Sequence, residues 1–100
     1  MLTVITPHNS SISAKKISQI KTGGFIILNI SFPQSNFNYS SKLEITSWNP
    51  QTQYGIAKFK NITEDIRGGR INLKDLDTIY QGEIVNFHVS DILDYSDEDY

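Results

Sequence analysis

The chain holds two histidines, His8 and His88, eighty residues apart, and no cysteine. A metal site or a general base needs imidazole close to a second ligand or a carboxylate, and no His-x-x-x-His or carboxylate–histidine spacing accompanies either residue. Asp75 and Asp77 alternate as oxygen ligands can, but the glycine and third ligand of a calcium loop are missing, so they read as turn residues. Gly23-Gly24 and Gly68-Gly69 lack the Lys-Ser/Thr and the strand-to-helix setting of a phosphate loop, and they too read as turns. No enzyme, metal or cofactor is therefore expected. The other residues with chemistry to offer are acidic: Asp91, Asp94, Asp97, Glu98 and Asp99 crowd the last ten positions, with Tyr95 and Tyr100 among them. Such a run forms a flexible solubilising tail over 91–100 or an acidic peptide that meets a basic partner. It could also fold back on the chain's own lysines.

One hundred residues fit a single domain, and 38% hydrophobic with 20% charged residues is ordinary for a globular chain. Net charge is −2, but it is divided unevenly. Residues 1–60 carry six Lys/Arg against one Glu, giving +5, and residues 61–100 carry three against ten Asp/Glu, giving −7. A polarised surface is one reading of that asymmetry and an ordinary solvated distribution is the other. Freedom from cysteine suits a reducing compartment. Met1–Ile5 has no basic flank and is interrupted at Pro7, so it does not read as a secretory leader. The longest apolar run, Phe25–Leu28, is far too short to span a bilayer. A cytoplasmic chain without a membrane partner is expected. The four Asn-x-Ser/Thr sequons, at Asn9, Asn29, Asn38 and Asn61, are read as coincidence.

Strand-like segments recur about every ten residues with turn signals between them, the pattern of a small barrel. Lys15–Ile20 reads as a short strand or one helical turn, and Thr22-Gly23-Gly24 as a hairpin turn leading into Phe25–Phe32. Leu43–Trp48 and Tyr54–Lys60 flank Asn49-Pro50-Gln51-Thr52, whose residues have turn chemistry. Along the second of these strands Tyr54, Ile56 and Lys58 share one face, and Gly55, Ala57 and Phe59 the other. Arg70–Lys74 alternates briefly, and Gly82–Val89 places Val85, Phe87 and Val89 on one face. We expect an all-β fold, a small barrel of five to seven strands over residues 1–90, with an acidic flexible tail over 91–100.

Two segments carry a family resemblance. Ser47-Trp48-Asn49-Pro50-Gln51-Thr52-Gln53-Tyr54-Gly55-Ile56 is similar to the Trp-Phe-Asn-x-x-x-Gly-(Phe/Tyr)-Gly-Phe block of the cold-shock domain. Thr78-Ile79-Tyr80-Gln81-Gly82-Glu83-Ile84-Val85-Asn86-Phe87-His88-Val89 is similar to that family's closing Thr-Leu-x-x-Gly-x-x-Val-x-Phe-x-Val. The resemblance spans residues 43–89. It implies an OB-fold barrel over 42–90, with Ile71 and Leu73 as the buried pair of a third strand, and with residues 1–41 packed on it as an extra strand or hairpin. An SH3-like barrel is the alternative.

The resemblance also implies a ligand, single-stranded RNA or DNA. Trp48 and Tyr54 would stack unpaired bases while Lys58, Lys60 and Arg70 meet the phosphates. Against that stand Ser47, Ile56, Asn72, Lys74 and Asp75, where the family has aromatic residues or histidine, so the stacking platform is reduced. Each of these residues also has an ordinary role. Trp48, Tyr54, Phe59 and Phe87 would serve as core or half-buried anchors, and Lys58 and Lys60 as solvated residues protecting a sheet edge. The second function class is a protein-interaction or accessory subunit docking on a larger partner. One version is a phage-encoded inhibitor of a nucleic-acid-binding enzyme, with Asp91, Asp94, Asp97, Glu98 and Asp99 imitating phosphates.

Overall fold

A computed structural model describes residues 1–8, 12–33, 38–63 and 73–99, for 73 and 74 the backbone alone. Six strands form one antiparallel sheet: β1 (Thr3–Ile5), β2 (Phe25–Ser31), β3 (Asn38–Asn49), β4 (Tyr54–Ile62), β5 (Ile84–His88) and β6 (Ile92–Ser96). Helix α1 (Ala14–Gln19) lies between β1 and β2, α2 (Leu73–Tyr80) between β4 and β5, and a single 3-10 turn (Val89–Asp91) between β5 and β6. Neighbours run β1-β2-β3-β4-β5, and β6 returns to pair with β2. β6 takes Phe25–Leu28 and β1 takes Asn29–Ser31 of the same strand.

The sheet curls into a nearly closed barrel. Across the remaining gap, the Leu2 N–H donates to Glu83 Oε2 at 2.9 Å and Thr6 Oγ1 donates to Asp91 Oδ1 at 2.5 Å. The small all-β barrel is therefore as expected. Short bent strands of this kind are common to OB-like and SH3-like barrels. Consecutive strands are neighbours and the last returns beside β2, an arrangement consistent with a small OB-fold-like barrel.

Alternation builds the core. Ile26, Leu28 and Ile30 of β2, Leu43 and Ile45 of β3, and Ala57 and Phe59 of β4 are all essentially inaccessible, because residues two apart on a strand share a face. Phe32 gathers Tyr39, Phe59 and Tyr80 at ring-centroid distances of 5.9, 5.7 and 5.5 Å. Three irregularities break the pattern, one of them a register shift of β2 against β6 between Ile27 and Leu28. Register shifts between Lys42 and Leu43, and between Ile45 and Ser47, mark bulges that leave Lys60 of β4 and Thr46 of β3 without a direct partner.

Three expectations change, and a fourth is narrowed. Phe25–Ser31 is no added cover: it is the strand to which β1, β3 and β6 all pair. Residues 14–19 form helix α1, the helical of the two readings open for Lys15–Ile20, capped where Ser13 Oγ accepts from the Lys16 N–H, since a serine cap followed by Ala-Lys-Lys favours a helical turn. Of the short strand expected at 70–74, Leu73 and Lys74 open helix α2, and 70–72, with Ile71 and Asn72, lie outside the described residues. Leu76 and Tyr80, four apart, bury one face of that helix. Finally, the barrel does not end at residue 90. Ile92 and Tyr95 are buried within β6, and the acidic composition around them concealed a strand.

Candidate interaction face

The sequence brought Trp48 and Tyr54 together as a stacking pair, and the structure separates them. The bulge at Thr46 resets the alternation of β3, so that Ser47 lies opposite the exposed Ile56 and Trp48 opposite the buried Gly55. The Trp48 indole thus turns inward and stacks on Phe87 at 5.9 Å, with an interplanar angle of 9°. It is half-buried and packs against the core. Gly55 belongs to the same arrangement. A Cβ there would lie 2.6 Å from Phe87 Cζ and 2.7 Å from the Ser47 carbonyl oxygen, so only glycine lets the Phe87 ring close over β4.

Tyr54 points the other way. It opens β4 after a turn in which Asn49 Oδ1 accepts from the Gln51 N–H at 2.9 Å and the Thr52 N–H at 3.3 Å. Gln53 sits at φ 62° in that turn. Tyr54 is 60% exposed and leans on His88, its partner on β5, at 4.6 Å between rings. Next along the outward row come Ile56, 37% exposed, and, on the diagonal of β5, Ile84, 54% exposed. Ile56 lies opposite Asn86 and Lys58 opposite Ile84. Tyr54, Ile56 and Ile84 thus form one oblique apolar strip, bordered by Ser47, Asn49, Asn86, His88 and Lys58.

His88 is held by the residues of the 3-10 turn that follows it. Its N–H donates to Asp91 Oδ2 at 2.8 Å, and its Nδ1 accepts the Ser90 N–H at 3.2 Å. A cleft beside it is lined by Thr6, Tyr54, Asn86, His88, Ser90 and Asp91.

The lysines expected to meet phosphates are held by carboxylate. Lys60 Nζ is 3.3 Å and Lys58 Nζ 3.8 Å from the same Glu44 Oε1. Arg70 lies outside the described residues. The acidic segment is largely engaged as well. Asp91 is buried, taking the hydrogen bonds from Thr6 and His88. Asp94 binds Lys16 Nζ at 2.5 Å, and that hydrogen bond holds its carboxyl below the ordinary carboxylate range. Asp99 pairs with Lys42, whose ammonium also sits over the Phe25 ring. Asp94 and Asp99 thus return to Lys16 and Lys42 and not to the face of Lys58 and Lys60, and Asp97 and Glu98 stay exposed beside them.

Among the described residues, no group of three or more His, Asp or Glu stands close enough to hold a metal ion, and no helix is long and apolar enough to cross a membrane. The chain matches no family model, no curated protein and no solved structure. Sequence reasoning passed over Ile56 as a mere substitution and Ile84 altogether. Their signal was present: Ile84 is out of phase with Val85, Phe87 and Val89, which are buried or nearly so.

Proposed function

We propose that this chain is a non-catalytic binding module that docks a protein partner on the outer face of β4 and β5. The exposed strip Tyr54–Ile56–Ile84 carries this reading. A contiguous apolar patch with a polar rim is how surfaces that meet other proteins are built, whereas isolated exposed hydrophobes need no explanation. A cysteine-free chain acting in the cytoplasm fits this role. The test compares wild type with the Ile56→Ser/Ile84→Ser double variant, using protein captured from cells that encode the chain. The docking reading expects a protein retained by wild type and lost from the folded variant.

Single-stranded nucleic acid is the second reading, favoured by one observation: the exposed Tyr54 ring leaning on half-buried His88, on the same outward row of β4 as Lys58 four residues further on. Trp48 takes no part in it, being stacked on Phe87. This reading expects tyrosine fluorescence quenching by short oligonucleotides, with affinity falling steeply as salt rises. Phosphate imitation by the acidic segment would rest on Asp97 and Glu98, because Asp91, Asp94 and Asp99 are engaged within the chain.

A further inference from the structure

The outward row of β4 continues past the apolar strip into Lys58 and Lys60, and both ammonium groups converge on a single oxygen. Glu44 Oε1 is 3.8 Å from one and 3.3 Å from the other. Two positive charges thus share one negative charge. The lysine side chains keep 39% and 32% of their surface, so the surplus charge is accessible. Among the described residues, Glu44 alone among the carboxylates is ion-paired to either lysine. Glu83, next to Ile84, accepts from the Leu2 N–H, Asp77 accepts from the Ile62 N–H, and Asp99 pairs with Lys42.

Lys58 lies directly opposite Ile84, so the surplus charge and the apolar strip form one surface. Positions two apart on a strand are roughly 7 Å apart, which is also the spacing of same-side residues in an extended partner segment. Resting on the docking reading above, we propose that the partner presents an extended segment combining large apolar side chains with carboxylates. The apolar groups cover Tyr54, Ile56 and Ile84, and the carboxylates meet Lys58 and Lys60 in place of part of the Glu44 contact. A polynucleotide offers the negative charge but no aliphatic surface for Ile56 and Ile84.

The probe is a displayed library of random peptides of about 12 residues, selected on wild-type chain and counter-selected on Ile56→Ser/Ile84→Ser after its circular dichroism is shown to be unchanged. The expected consensus places Asp or Glu two residues from Leu, Ile or Phe. The synthesised consensus peptide should bind about tenfold more weakly to Lys58→Gln/Lys60→Gln. It should bind several-fold more tightly to Glu44→Gln, which frees both lysines and which a merely structural pair would not produce. Binding should weaken as salt rises from about 50 to about 300 mM. A neutral or basic consensus that still needs Ile56 and Ile84 overturns this proposal and leaves the docking reading standing. No enriched peptide overturns both. Amide shifts on β4 and β5 produced by oligothymidylate but by no peptide overturn both in favour of nucleic acid.

Discussion

Side-chain direction decides what each aromatic residue can do. Trp48 and Tyr54 flank one turn, yet one closes an end of the core and the other faces solvent, because a single unpaired residue at Thr46 reverses the facing beyond it. The faces of Tyr54, Ile56 and Lys58 against Gly55, Ala57 and Phe59 were legible from alternation alone. The facing of Trp48 was not, since a bulge leaves no periodic trace in side-chain types. Gly55 gives the sharpest prediction at this scale. Gly55→Ala drives a methyl into the Phe87 ring and the Ser47 carbonyl, and should cost about 1–3 kcal/mol. Urea unfolding followed by Trp48 emission checks it, and an unchanged midpoint would mean that the Phe87 ring does not need glycine at this position. Asp94 gives a second. Its folded pKa lies below the unfolded value of about 3.9, so its contribution is present above that pH and lost as pH falls through the lower folded value. The pair is half-exposed, so the effect is small. Asp94→Asn should narrow the stability difference between near-neutral and strongly acidic pH, measured as urea midpoints.

Among the elements, β6 was the least legible and matters most. Five acidic residues within 91–100 give the composition of a tail, and the two residues that make a strand, Ile92 and Tyr95, are too few to show a period. Their burial against β2 ties the end of the chain to the centre of the sheet. A chain shortened to Ser96 should fold, and one shortened to Ser90 should not, as read by far-ultraviolet circular dichroism and amide dispersion. Ile92→Ala should cost about 2–5 kcal/mol within the full chain. Helix α2 was obscured by a strand-like start at Arg70–Lys74, although Leu76 and Tyr80 have helical spacing. It is joined to β4 where Asp77 Oδ1 accepts the Ile62 N–H at 2.7 Å. Desolvation raises the Asp77 pKa, the Ile62 bond only partly opposing it, so its stabilising contribution is lost as pH rises through the folded value. Asp77→Asn keeps the acceptor without the charge and should leave the thermal midpoint at neutral pH undiminished.

For the whole molecule, the charge asymmetry of the sequence does not become a polarised surface at the ion pairs. Lys16 with Asp94 and Lys42 with Asp99 join the basic part of the chain to the acidic part. What remains is local: a surplus positive charge at Lys58 and Lys60, adjoining an apolar strip on an otherwise polar rim. The framework of the barrel was legible because alternation and turn chemistry act over a few residues. The face was only half legible, because it is assembled across two strands whose register depends on bulges and on the length of the α2 connection. On the proposed reading, this face docks a protein. Its most direct test places a photo-reactive benzoylphenylalanine at Ile84 on β5, or at Gln19 on α1, in cells that encode the chain. Protein adducts from position 84 and none from position 19 are the predicted result; adducts to nucleic acid from position 84, or none there at all, would contradict it.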